Sequence, residues 1–488
     1  MTIRYMTLGD VVQFLPEARL LNIHSETMNQ VLSKLNSDSR NIQAGELFIA
    51  LKGEKFDGNQ FLDEARVKGA SAALASNVEN LKSDLPVVLV ENTLQAMQTL
   101  ARLWRLEINP TVAVITGSNG KTTVKEMIAS IFSVAAGNSG CLATQGNFNN
   151  EIGLPLTLLR LTSEHRLAAI ELGMNHPGET QELAAIAAPN IALINNAQRE
   201  HQEFMNGVEA VAKEHATVID ALGNDGIAVF PAESEYAELW RAHAGNREVI
   251  DFALNGNAIV TGNWSGSGRL QITINRQIVK TQENFEVQLS ILGEHNARNA
   301  LAATAVALAA GVSVESIRAG LVKFQPVSGR MQVKPLKRFE GRGIVIDDTY
   351  NANPDSVRAA VDVLATLKGQ RWLALGDMGE VGSNGPAFHR EVGIYARDKG
   401  IDYLFATGEL SAESVAGFNE ASKDASVHEL SGMHFADAQL LSNELIKRMT
   451  LLGQSTSSSE LSILVKGSRF TKMERVVNNL LEEKSACC

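Results

Sequence analysis

A chain of 488 residues is too long for one hydrophobic core, and at about 100–200 residues per domain it divides into roughly three. Hydrophobic residues at 44%, charged residues at 20% and only 11 prolines exclude a disordered or fibrous chain. The net charge of −11 disfavours nonspecific binding to nucleic acid or anionic membrane, while local loops and metal ions still allow phosphate ligands.

The opening MTIRYMTLGDVV lacks the apolar centre of a signal peptide, and no run of about 18 apolar residues follows, so a cytoplasmic protein is expected. Cys141, Cys487 and Cys488 support neither a disulfide framework nor a zinc site. The terminal pair reads as a frayed tail.

Residues 1–92 show strand-like runs at 47–51, 71–76 and 86–92 with a helix over 60–68, a small α/β unit. Within it, DSRNIQAGELFIALKGEKFDG is rich in turn formers. Ser39 and Arg40 fall on a loop there, where they either meet an anion or make the loop's own turn bonds. A helix over 93–106 carries Leu94, Met97, Leu100, Ala101 and Trp104 at helical spacing and leads through Asn109-Pro110 into TVAVITGSNGKTTVKE at 111–126.

That stretch reads as strand, glycine turn and helix. Gly117 and Gly120 let the backbone turn its N–H groups inward, and the helix N-terminus adds partial positive charge, so a polyphosphate fits. Lys121 is placed to reach the terminal phosphates and the Thr122 hydroxyl to hold a phosphate-bound Mg²⁺, with Thr123 next on the helix. Only Ser118 and Asn119 separate the glycines, two residues fewer than in the general P-loop.

From 111 to about 222 strands alternate with helices, at 168–174, 191–196 and 208–222, which predicts a parallel, doubly wound sheet with ligands at the carboxyl ends of its strands. From 258 to 292 short alternating strands, split at Gly266-Ser267-Gly268, predict an antiparallel flank. Beyond turn-like residues at 326–329 the alternation resumes at 343–350, 371–377, 402–408 and 462–468, a Rossmann-like unit without a G-x-G-x-x-G. The run GQSTSSSE at 453–460 reads as a polar loop. Boundaries are placed at 1–92, 93–326 and 327–488.

Polar residues gather at the strand ends. Glu171 closes an apolar strand, where a carboxylate can ligate a metal opposite a bound triphosphate or form a salt bridge. His201 follows the next strand as a ligand or a hydrogen-bonded structural residue. Lys213 stands among Val208, Val211, Ala212 and Ala216, so it either snorkels or, buried and neutral, takes up CO₂ as a metal-binding carbamate. Asn296 and Asn299 lie one turn apart and present amides to a base edge or cap a helix. Arg330 and the acidic pair of DDTYNANP, 347–354, add a guanidinium and carboxylates for ribose hydroxyls or an amine.

Taken in order, these segments resemble the Mur ligase family over nearly the whole chain. The carriers are the shortened loop TGSNGKTT, QGNFNNEIGLPLTLL at 145–159, ELGMNHPGE at 171–179, HNARN at 295–299, SGRM at 328–331, DDTYNANP and GDMGE at 376–380. The resemblance implies a three-domain α/β protein: an N-terminal domain for a UDP-linked substrate, a central P-loop ATPase domain and a C-terminal Rossmann-like domain. It implies ATP and Mg²⁺, and formation of an amide between D-alanyl-D-alanine and UDP-N-acetylmuramoyl-tripeptide through an acyl phosphate.

Carried over residue by residue, Gly117 to Thr123 hold ATP, Lys121 and Thr122 its phosphates and Mg²⁺, and Glu171 and His201 the metals. Lys213 matches a carbamylated lysine, Asn296 and Asn299 hold adenine, Arg330 a phosphate and Asp348 the ribose. Ser39 and Arg40 sit at the uridine diphosphate, Asn147 and Asn149 at the muramoyl end, and Asn351 and Asn353 near the substrates. Partners are then small molecules, with no nucleic acid, no membrane insertion and a monomeric chain. Another amide ligase on this scaffold, or a P-loop switch that ligates nothing, is the competing reading.

Overall fold

The structure is a computed structural model that describes residues 3–266, 268–276, 281–339, 342–420, 431–454 and 460–482. The described strands form four sheets. The middle of the polar run at 453–460, the turn residue Ser267 and the terminal cysteines lie outside the described residues.

The first sheet runs in the order Arg19–Leu21, Val87–Leu89, Ala72–Ala75, Leu47–Ile49, Leu35–Asn36, parallel except for its first, antiparallel member. The helix expected over 60–68 starts as a 3₁₀ turn at Gly58–Phe61, where the Asp57 carboxylate accepts from the N–H of Asn59, and becomes α-helical at Leu62–Val67.

The helix Thr93–Ile108 begins because the Asn92 side chain accepts from the N–H groups of Leu94 and Gln95. It ends at Asn109, which takes the left-handed conformation just before Pro110. Its apolar face joins two units. Met97, Leu100, Ala101 and Trp104 belong to one buried cluster that runs from Leu47 and Val88 of the first sheet to Val112 and Val114 of the second. Burying each such large side chain contributes about 1.5–3 kcal/mol.

The central sheet is wholly parallel, in the order Glu248–Val249, Ile227–Val229, Ile191–Ile194, Thr111–Thr116, Leu167–Glu171, Cys141–Ala143. After Thr111–Thr116 the chain builds strands on one side of it and then crosses to the other. The crevice at the carboxyl end of Thr111–Thr116 is therefore the switch point where an open α/β sheet takes its ligand.

The flank is antiparallel over Val260–Trp264, Arg269–Arg276 and Thr281–Gln288, as the alternation implied. Phe252–Leu254 adds a parallel edge that the pattern did not reveal.

The C-terminal sheet follows the order Gln332–Pro335, Gly343–Asp348, Leu461–Lys466, Gln370–Gly376, Tyr403–Thr407, Gly432–Phe435. Its first member is an antiparallel edge strand and the rest run parallel. The last strand of the chain is inserted at the centre, and all six residues of Leu461–Lys466 are buried.

Candidate functional site

A cleft of about 1660 Å³ opens at the switch point and is walled by both the central and the C-terminal unit. Its floor is the turn from Gly117 to Gly120, which leads into the helix Lys121–Ala136. Gly117 has φ 132° and Gly120 φ 81°; a Cβ on Gly120 would lie 2.7 Å from Asn299 Oδ1. Only glycine fits there.

The turn is clamped from the strand beside it. Ser118 N–H donates to Asn196 O at 3.1 Å, Asn119 N–H to Asn196 Oδ1 at 2.9 Å, and Asn195 Nδ2 to Asn119 O at 2.8 Å. The first N–H groups of the helix have no intrahelical partners and face an anion site.

Lys121 is 16% exposed and donates to the carbonyls of Gly117 and Ser118 and to Glu200 Oε2 at 3.2 Å. Glu200 is buried, and its Oε1 lies 2.8 Å from His215 Nε2. His215 is completely buried, with Nδ1 2.9 Å from Thr116 Oγ1. Burial pushes the Glu200 carboxyl up, but Lys121, His215 and His201 outweigh it and hold it well below the usual carboxylate range.

His201 itself sits at φ 47°, a strained position for a side-chain-bearing residue. Its Nδ1 lies 2.6 Å from Glu380 Oε2, within ion-pair distance but off the hydrogen-bond line. The His201 contact outweighs burial and lowers the Glu380 pKa.

Glu171 ends its strand buried, with Oε1 accepting from Asn149 Nδ2 at 2.9 Å and Oε2 without a partner among the described residues. An orphaned buried carboxylate oxygen is what a cation would complete. No cluster of three His, Cys, Asp or Glu able to hold a metal occurs among the described residues.

Asn296 and Asn299 are buried in the cleft wall, but their amides engage one another. Asn299 Nδ2 donates to Asn296 Oδ1 at 2.9 Å, Asn195 Nδ2 donates to Asn299 Oδ1 at 3.0 Å, and Asn296 Nδ2 reaches Leu292 O at 2.7 Å. The pair thus braces the phosphate turn and presents little free amide to a base. His295 beside them has its pKa lowered to about 4 by burial, with Asp348 opposing and Lys466 adding to the shift.

Across the cleft, Arg330 lies over the Tyr350 ring at 4.0 Å, with no carboxylate partner among the described residues. Asp348 accepts from Lys466 Nζ at 2.5 Å and from Met331 N–H at 3.0 Å. Asp347, its neighbour, turns away to Lys334 and Thr349. Asn351 lines the cleft and gives its carbonyl to Lys466. Asn353 caps the helix Pro354–Ala365 and also reaches the phosphate turn.

The expectation of a carbamylated Lys213 is corrected, and three other expected site residues stand away from this cleft. Lys213 lies outside the cleft: its side chain is 60% exposed and paired with Glu209 at 2.7 Å. The reason is helical phase on Gly207–Asp220. At 3.6 residues per turn, Lys213 is about 200° from Val211 and from His215, so when those face inward it faces water. Ser39 and Arg40 do not reach this cleft either. Ser39 is buried in its own unit, and Arg40 is 82% exposed on Asp38, making the turn bonds of its loop. Asn147 is exposed and only Asn149 of that pair lines the cleft.

Sequence reading also missed Glu200, His215, Asn195 and Asn196. The same phase argument would have found His215, one turn beyond Val211; the others needed the tertiary contacts.

Comparison with known proteins agrees with this arrangement. Profiles match in chain order: the Mur ligase family catalytic domain over residues 17–105, the Mur ligase middle domain over 115–307 and the Mur ligase glutamate ligase domain over 329–469. A UDP-N-acetylmuramoyl-tripeptide–D-alanyl-D-alanine ligase of Haemophilus influenzae is 39% identical over 463 residues, 94% of this chain and 95% of that protein. The ligase of the same name from Escherichia coli is 38% identical, covering 96% of this chain and 98% of its own.

Among solved structures, MurF from Acinetobacter baumannii has a TM-score of 0.85 at 28% identity, with 99% of this chain and 100% of that one covered. MurF from Thermotoga maritima in complex with ADP, 24% identical, shares the fold at a TM-score of 0.76 over 92% of this chain and 97% of its own.

Proposed function

Because the chain belongs to the Mur ligase family, we infer that it joins D-alanyl-D-alanine to UDP-N-acetylmuramoyl-tripeptide, making the UDP-muramoyl-pentapeptide precursor of peptidoglycan. It is an ATP-dependent amide ligase that uses Mg²⁺. The observation that carries this reading is the glycine cradle of Gly117 to Thr122 facing Arg330 and Asp348 of another unit across one cleft.

The chemistry follows from charge. A carboxylate and a triphosphate are both anions, so attack of the tripeptide carboxylate on the γ-phosphorus needs the N–H cradle and the Lys121 ammonium to offset their repulsion. The new bond joins carboxylate oxygen to phosphorus and ADP departs. The neutral amine of D-alanyl-D-alanine then attacks the acyl carbon, loses a proton, and expels inorganic phosphate from a tetrahedral adduct.

Thr122, Glu171 and His201 would hold Mg²⁺, which when bound supplies positive charge to the phosphate oxygens. Arg330 would take a phosphate, Asp348 a ribose hydroxyl, and Asn296 and Asn299 the wall beside the nucleoside. Asn149 would face the muramoyl peptide, and Asn351 the incoming amine. Ser39 and Arg40 are assigned to the uridine diphosphate end, in a unit of their own.

We place the domain limits at 92/93 and 326/327 and the protein in the cytoplasm as a monomer. No helix among the described residues is long and apolar enough to cross a membrane. The test supplies ATP, UDP-muramoyl-tripeptide and D-alanyl-D-alanine together and then omits each. Phosphate release should need all three; release that ignores the dipeptide would leave a nucleotide switch, not a ligase.

A further inference from the structure

We infer that Glu200 is a positioning residue for the ligation, the fixed anion that aims the Lys121 ammonium into the cleft, and that no modified lysine is needed beside it. This deepens the ligase reading and rests on it.

Lys121 has no fixed direction of its own. Its ammonium is a compact charge with three donors on a flexible four-carbon stem, so its direction is set by its partners. Two of these are the carbonyls of Gly117 and Ser118, on its own turn. The third is Glu200 Oε2 at 3.2 Å. Without Glu200 the ammonium has only the carbonyls of the turn and folds onto it.

Glu200 is itself fixed. Its other oxygen meets His215 Nε2 at 2.8 Å, and His215 Nδ1 lies 2.9 Å from Thr116 Oγ1, at the end of the strand that feeds the turn. The same Oε2 lies 3.8 Å from His201 Nε2. One buried carboxylate therefore ties together the strand, the phosphate lysine and the histidine assigned to the metal.

The inward position on Gly207–Asp220 is occupied by His215. Lys213 lies in water beside Glu209, where nothing desolvates its amine for CO₂ uptake. The negative group next to Lys121 is thus built into the sequence as Glu200.

The test uses the full chain and follows ADP release with all three substrates. Glu200→Gln should lower kcat about 100-fold while KM for ATP moves less than about threefold, because an interaction that orients the lysine in the transition state is lost. Glu200→Asp should recover part of the loss, and melting temperatures are recorded for each variant. His215→Gln, which keeps the carboxylate but loosens its anchor, should lower kcat about tenfold; it serves if Glu200→Gln does not fold.

Lys213→Ala, and removal of CO₂ from the buffer, should change nothing. Wild-type kcat in folded Glu200→Gln or in His215→Gln would overturn the inference. So would loss of activity in Lys213→Ala or without CO₂ that bicarbonate or a small carboxylate restores. If wild-type phosphate release ignores the dipeptide, the ligase reading falls on its own, and the same variants still report on Lys121 through ATP hydrolysis.

Discussion

Asn119 of the phosphate turn and Asn353 at the head of the helix Pro354–Ala365 face each other across the cleft. Asn353 Nδ2 donates to Asn119 Oδ1 at 2.9 Å, and Asn119 Nδ2 returns to Asn353 Oδ1 at 3.4 Å. The second of these is long and the first carries the contact. Since Asn353 Oδ1 also accepts from the Ser356 N–H as the helix cap, one side chain starts a helix in one unit and touches the ATP cradle of another.

This double duty can be separated. Asn353→Ser keeps a good cap but is too short to reach Asn119, so the melting temperature should stay within about 2 °C of wild type while kcat/KM for ATP falls about tenfold. Asn353→Ala should lose the cap as well, at about 0.5–2 kcal/mol. Calorimetry beside steady-state kinetics distinguishes them; equal activity in Asn353→Ser and wild type would show that the contact is idle.

Arg199 makes a second link between the units. It donates to Asp355 at 2.6 Å and to Glu391 at 2.8 Å, while Arg358 also holds Glu391 at 2.8 Å. The Asp355 and Glu391 contacts outweigh burial and raise the Arg199 pKa further above its ordinary value. Arg199→Gln leaves two carboxylates facing each other with one cation, so the units should separate more often. Small-angle scattering should give a larger radius of gyration, with kcat lowered. A disulfide holding the units apart should abolish ligation altogether.

Glu171→Gln removes a buried carboxylate whose Oε2 has no partner among the described residues. Loss of an uncompensated charge does not destabilise a fold, so the melting temperature should hold or rise. The Mg²⁺ concentration giving half-maximal ADP release should increase at least about tenfold, as expected for loss of one carboxylate ligand. An unchanged Mg²⁺ requirement would remove Glu171 from the metal site.

His295 predicts a pH dependence of stability. Its folded pKa of about 4 lies below the ordinary 6.5, chiefly through burial, so folding favours the neutral ring. The unfolded chain takes up the proton first as pH falls, and stability rises with pH between the two values. The contribution is complete above about 6.5 and is lost as pH drops from there toward 4. His295→Asn should flatten this part of a melting-temperature profile; an unchanged slope would assign it to other groups.

Much of this protein was legible in the chain itself. The strand–turn–helix at 111–136, the alternation that gives parallel sheets, and the antiparallel flank follow from local periodicity and from glycine's freedom at positive φ, which act over a few residues. The order of the motifs likewise pointed to the Mur ligases, and Glu171 and His201 did come to the cleft.

What the chain did not display was which way a side chain faces and what it meets. The apolar neighbours of Lys213 left it either snorkelling or buried, and a turn of about 200° puts it in water and His215 inside. The partnership of Lys121 with Glu200 joins residues 79 positions apart, and that of Asn119 with Asn353 joins residues 234 apart. Periodicity carries no information over such distances. Pairing of Thr111–Thr116 with Ile191–Ile194 in one sheet brings Lys121 to Glu200 inside the cleft, and the meeting of the central and C-terminal units brings Asn119 to Asn353.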